Sequence, residues 1–122
     1  MFPPDYQPHY VSVTLENGIA VVSFSITEIN DDDNIEIFGR EIFSLVDQFG
    51  CEKIVLSMAG VKFITSSVLG KIITLHRMQS RNNGRLILCD IEPGVIETLK
   101  TSRLINYFET AKDVAEASAK MN

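Results

Sequence analysis

The sequence predicts a single α/β domain with the element order ββαβαβαβα and a mostly parallel β-sheet packed with helices. Three observations predict it. Two β-rich segments flank Asn17-Gly18, and two short apolar runs, Ile54–Leu56 and Leu86–Leu88, are bounded by turn residues. Stretches of helical periodicity alternate with those runs. A chain of 122 residues buries roughly two-thirds of its unfolded surface on folding, so one hydrophobic core holds it without metal or disulfide staples.

Three of the four prolines fall within residues 1–8, which read as an extended lead, with the domain over residues 9–122. Tyr10–Leu15 and Ile19–Phe24 are strands of a hairpin turning at Asn-Gly. The acidic stretch Asn30–Asn34 offers several N-caps to a first helix, whose Phe38, Ile42, Leu45, Val46 and Phe49 recur at helical spacing before Gly50 stops it. Lys53–Met58 is a strand buried on both faces. Thr65-Ser66-Ser67 opens a second helix, striped by Val68, Leu69, Ile72, Ile73 and Leu75, that runs to about Arg81 and closes at Asn82-Asn83-Gly84. Arg85–Cys89 is a second buried strand. Pro93 stands in the first turn of a short third helix that reaches Leu99, Tyr107–Thr110 forms a last strand, and Ala111–Met121 makes a surface helix.

The formal net charge of −5 argues against sequence-independent nucleic-acid binding, which depends on Lys and Arg neutralising phosphates. The charge is uneven. Residues 1–52 hold ten acids and one base, whereas residues 53–90 hold six bases and one acid. Lys62, Lys71, Arg77, Arg81 and Arg85 read either as a solvated helix face with its loops or as a local patch that steers an acidic partner. Cys51 and Cys89 lie in no metal-ligand or CxxC spacing and read as two reduced thiols of a cytoplasmic protein. No apolar stretch approaches the ~18 residues of a membrane span, and no export signal is encoded.

Motifs for catalysis are missing: there is no GxGxxG, HExxH, GxSxG or CxxC. A phosphate-binding loop would place Gly where Thr65 stands and Ser or Thr where Ile72 stands. Asp31-Asp32-Asp33 lacks the oxygen-ligand spacing of a calcium loop. His76, midway along a helix, reads as a partly packed surface side chain. No cofactor and no enzymatic activity are expected.

Phe63-Ile64-Thr65-Ser66-Ser67-Val68-Leu69-Gly70 sits where a buried strand hands over to a helix. This segment resembles the signature of the STAS family, the sulfate-transporter and anti-sigma-factor-antagonist domain. In that family an aromatic and aliphatic pair precedes Asp-Ser-Ser or Asp-Ser-Thr and then Gly-Leu-Gly. The likeness extends over the hairpin, the strand Ile54–Ser57, Gly84–Cys89 and Val95–Leu104. Thr65 stands where the family carries Asp, and Val68 replaces the first Gly.

The resemblance implies a STAS-like fold and an anti-sigma factor antagonist-like switch. The unphosphorylated domain would dock on an anti-sigma factor or serine/threonine protein kinase, and phosphorylation of Ser66 would release it. A PP2C-type phosphatase would reverse the modification. Thr65, Ser67 and Gly70 would share the contact surface with Ser66, Gly70 as a close-approach position for packing or for the partner. No membrane or nucleic-acid partner is implied. The residues admit other readings. Thr65 and Ser66 are both acceptable N-caps, and capping alone accounts for hydroxyls there. A non-phosphorylated STAS scaffold in a signalling complex is one alternative, and a small-ligand carrier with a pocket beside Ser66 is another.

Overall fold

A computed structural model of the chain describes residues 6–121, so residues 1–5 of the expected lead lie outside the described residues. Tyr6–Pro8 carry no regular secondary structure, and the Tyr6 ring meets Phe49 edge-on at 4.9 Å. The elements then follow in the expected order: β1 (Val11–Glu16), β2 (Ile19–Phe24), α1 (Asp32–Asp47), β3 (Lys53–Ser57), α2 (Ser66–Arg81), β4 (Arg85–Cys89), α3 (Pro93–Thr101), β5 (Glu109–Thr110) and α4 (Val114–Met121). Local chemistry explains most boundaries. Asn17 and Gly18 both take positive φ, 54° and 81°, the geometry a two-residue hairpin turn requires and which Gly adopts without penalty. The acidic stretch serves α1 directly, because the Asp31 carboxylate accepts the Asp33 N–H. Helix α1 ends at Asp47, before Phe49, and Gly50 follows at φ 61°.

The five strands lie in sequential order β1-β2-β3-β4-β5, antiparallel at the hairpin and parallel from β2 onward. Because every parallel connection steps the same way across the sheet, α1, α2 and α3 gather on one face. Ala20, Val22, Ile54, Leu56, Leu86 and Leu88 meet them there in the main core. The alternate residues Ile19, Val55, Ile87 and Cys89 face the other way and pack on Ala117 and Met121 of α4. The last helix is therefore the cover of the second sheet face rather than a surface addition. It is also shorter than the alanine-rich run suggested, since Asp113 accepts the Glu116 N–H and starts it at Val114.

Two further boundaries move for tertiary reasons. Strand β5 contains Glu109 and Thr110 alone, because Phe108 turns into the main core and Tyr107 leaves the sheet to pack at a tilt against His76, ring centroids 4.7 Å apart. His76 is half-buried beneath Tyr107 and Phe108, and this desolvation pushes its imidazole pKa down. Two of the five bases are paired at opposite ends of the strands: Lys71, near the start of α2 beside the carboxyl ends of the strands, with Glu36, and Arg85, at the start of β4, with Glu109.

Candidate functional site

The carboxyl ends of β3 and β4 lead into neighbouring helix starts, and the candidate residues sit on the first of these. Thr65 has extended backbone, φ −80° and ψ 162°; its Oγ1 accepts the Val68 N–H at 3.1 Å and its carbonyl accepts the Leu69 N–H at 3.0 Å. Thr65 is thus the N-cap, and Ser66 and Ser67 are the first two helical residues. The capping role open to Ser66 in the sequence belongs to Thr65 instead, because only the residue preceding the first helical turn can turn its hydroxyl back to the orphan N–H groups. The Ser66 side chain is exposed and makes no hydrogen bond among the described residues.

Ser67 is exposed on the side facing α1, where it lines a groove with Asp32, Glu36, Gly70 and Lys71. Across this groove the Lys71 ammonium pairs with Glu36 and holds that carboxyl below the usual carboxylate range. A Cβ on Gly70 would meet nothing within 4 Å, so the packing role considered for Gly70 does not apply, and the glycine leaves the groove open. Val68 takes the opposite course. It is buried in the main core, where its side chain fills volume that a glycine would leave to neighbours.

The loop from Met58 to Thr65 is held from below and leaves its outer edge open. Val61 is buried, the Gly60 N–H donates to Glu92 Oε2 at 3.0 Å, and the Ser57 hydroxyl donates to Asp90 Oδ2 at 2.7 Å. Phe63 projects from the anchored loop with 77% of its surface exposed, against 41% for Ile26 and Tyr107. One edge of its ring lies over α3 at Gly94, where an added Cβ would lie 2.7 Å from Phe63 Cε1 and would collide with the Lys62 carbonyl oxygen. Sequence periodicity did not reveal the exposure of Phe63 or the tie between Ser57 and Asp90. The available signal was a polar residue, Ser57, ending the apolar run Ile54–Leu56.

Thr65 lines a hollow with Thr27, Glu28, Asn30, Lys62 and Phe63, while Ser67 lines the α1–α2 groove; Ser66 lines neither. Among the described residues no group of three or more His, Cys, Asp or Glu is placed to hold a metal ion. No described helix is long and apolar enough to cross a membrane.

This site, a helix start carrying paired serines on a five-stranded mixed sheet, coincides with a family match: the STAS domain model covers residues 10–117. The chain belongs to the STAS domain family. Among relatives, it is 24% identical over 94 residues to the anti-sigma F factor antagonist of Paenibacillus polymyxa, covering 77% of this chain and 80% of that protein. The fold is shared with a variant of RsbS from Moorella thermoacetica, at TM-score 0.77 and 19% identity, covering 93% of this chain and 95% of that one. It is also shared with the phosphorylated form of SpoIIAA from Bacillus, at TM-score 0.69 and 18% identity, covering 92% and 99% respectively. Within this STAS domain Thr65 replaces the family Asp without loss of the cap, since Asp and Thr both accept the orphan N–H groups of a first turn.

Proposed function

We propose that this STAS domain is a phosphorylation-controlled binding switch of the anti-sigma factor antagonist type. The domain over residues 9–122 docks, through the surface around Thr65, Ser66, Ser67 and Gly70, on an anti-sigma factor or serine/threonine protein kinase in the cytoplasm. Phosphorylation of Ser66 releases it, and a PP2C-type phosphatase restores it. The observation that carries this reading is the state of Ser66: exposed, first in its helix, and relieved of capping by Thr65. A kinase can reach such a hydroxyl without unfolding anything. The added ~1.5 to 2 negative charges at a helix start leave the fold intact and act on whatever is docked there.

Its action would be local. A phosphate inserted into a close-packed, desolvated contact is costly unless the partner supplies a cation at that spot, so docking is lost without a change of shape. Lys71, the nearest base along α2, is already paired with Glu36.

The test joins stability to binding. Ser66→Ala and Ser66→Asp are both expected to melt like the parent chain, because neither touches the cap. Ser66→Ala should bind the kinase and resist phosphorylation, and Ser66→Asp should not bind. Phosphopeptide mapping after incubation with kinase and ATP should place the modification on Ser66. A Ser66→Asp variant that binds normally, together with a parent chain whose Ser66 the kinase leaves unmodified, would favour the second reading, a scaffold that is never phosphorylated. That reading draws on one feature: with Thr65 in place of Asp, no carboxylate adjoins Ser66 in the sequence motif.

A further inference from the structure

We infer that Phe63 is the anchor by which this domain holds its partner, and that the partner presents an apolar pocket bordered by lysine or arginine. The inference rests on the docking reading above and adds to it the residue that supplies affinity and the chemistry of the opposing surface.

Single exposed apolar residues are common and by themselves mean nothing. Phe63 differs in three respects. Its exposure, 77%, is nearly twice that of any other large exposed apolar side chain described. It is carried on an anchored loop, since Gly60 is tied to Glu92 and Val61 is buried, and one edge of its ring lies over Gly94. It also stands between two hollows, one lined by Thr27, Glu28 and Asn30, the other by Glu97, Thr98 and Thr101, so a partner can close around both sides of the ring. An aromatic side chain on an anchored loop has few rotatable bonds to freeze when it enters a pocket, and aromatic residues are enriched at the centres of interfaces.

The charge around the ring identifies what surrounds the pocket. Glu28 borders one hollow and Glu97 the other, while Asp32 and Glu36 line the groove beyond Ser67. Against them stand Lys62, which adjoins Phe63, and Lys71, which is paired with Glu36. A surface of this sign approaches a basic surface faster than a neutral one and disfavours an acidic one. A basic border is compatible with release by phosphate, because the partner's cations face Glu28 and Glu97 beside the ring. At Ser66 the small side chains bring the two proteins into close contact and leave a phosphate no room.

The experiment uses the full chain and each anti-sigma-factor-type serine kinase encoded in the same genome, purified and titrated by biolayer interferometry at about 50 and about 300 mM NaCl. At least one kinase should bind the parent chain. Phe63→Ala should weaken that binding by about 30-fold or more with an unchanged melting temperature, and Phe63→Trp should restore most of it. Binding should weaken roughly tenfold from low to high salt, and Glu28→Gln with Glu97→Gln should flatten that dependence. If Phe63→Ala binds as the parent does, or melts early while Phe63→Ser does likewise, the anchor is overturned and docking stands. If salt leaves binding unchanged, the basic border is overturned. If no kinase binds even the parent chain, the docking reading fails and the anchor with it.

Discussion

Two strand-to-helix junctions lie side by side at the carboxyl edge of the sheet, and they use their polar groups in opposite ways. At the β4–α3 junction nearly everything polar is consumed inside the molecule. Asp90, held at φ 52°, takes the hydroxyl of buried Ser57; Glu92, the N-cap residue, makes no side-chain cap bond and instead accepts the Gly60 N–H; Pro93 at the first helical position has no N–H to satisfy. At the β3–α2 junction one hydroxyl, that of Thr65, meets the needs of the helix, and Ser66, Ser67 and the ring of Phe63 are left facing outward. One junction is the scaffold of the other. Asp90, Glu92 and Gly94 each grip the 57–63 segment, so the residues that face a partner stand on a support made by residues that do not.

That contrast predicts a graded response to substitution, greatest at the supporting junction. Asp90→Ala should be the most damaging, at about 3 kcal/mol, because it removes the carboxylate that accepts the hydroxyl of buried Ser57 and puts alanine in a left-handed conformation. Asp90→Asn, which keeps an acceptor and tolerates that conformation, should lose about 1 kcal/mol or less in the same urea denaturation series. Gly94→Ala should cost about 2 kcal/mol through overpacking against the Lys62 carbonyl and the Phe63 ring. Adding Phe63→Ala should recover little of it, since the clash with the Lys62 carbonyl remains.

Smaller effects are expected at the outward-facing junction. Thr65→Ala should lose about 1 kcal/mol, Thr65→Asp should be close to neutral, and Ser66→Ala should stay within about 0.5 kcal/mol of the parent chain. A large loss for Ser66→Ala would erase the distinction between the two junctions, because it would show Ser66 engaged in the fold.

The two junctions should also differ in their response to alkali. Burial pushes the Cys89 thiol at the supporting junction up to about 12, with Asp90 beside it adding to the rise, whereas the outward-facing junction holds no thiol. A thiol whose pKa is higher folded than unfolded contributes stability below its unfolded pKa, and that stability is lost as pH rises above the ordinary thiol range toward the folded value. The urea midpoint should therefore fall between about pH 8 and 9.5, and less so in Cys89→Ala. Thiol labelling should find two reactive groups in denatured, unreduced protein, and Cys89 should react slowly in the native state. Prompt native labelling of Cys89 would contradict its burial.

Most of the fold was legible in the sequence because the signals that specify its elements are local. Asn17-Gly18 meets the backbone requirement of a hairpin turn within two residues; the stripe of α1 from Phe38 to Val46 and that of α2 from Val68 to Leu75 are each read within one segment; the runs Ile54–Leu56 and Leu86–Leu88 are apolar throughout because both faces of their strands are covered. The STAS segment was legible for the same reason, as a string at a recognisable place in the element order. The details of the site depend on contacts that cross the chain. Whether Thr65 or Ser66 caps α2 is decided by where the backbone enters the helix, and both residue types suit the position. Phe63 lies between buried Val61 and half-buried Ile64, and no periodicity marks it as the one facing water; its position follows from Gly94, 31 residues later. Ser57 finds its acceptor in Asp90, 33 residues away, and the sequential strand order is what brings them together. The amino-acid sequence alone determined which elements form, in what order, and which motif stands at the second helix. Only the tertiary structure decided which of the motif's side chains are engaged in the fold and which face outward, because engagement depends on partners brought near by the packing of distant segments.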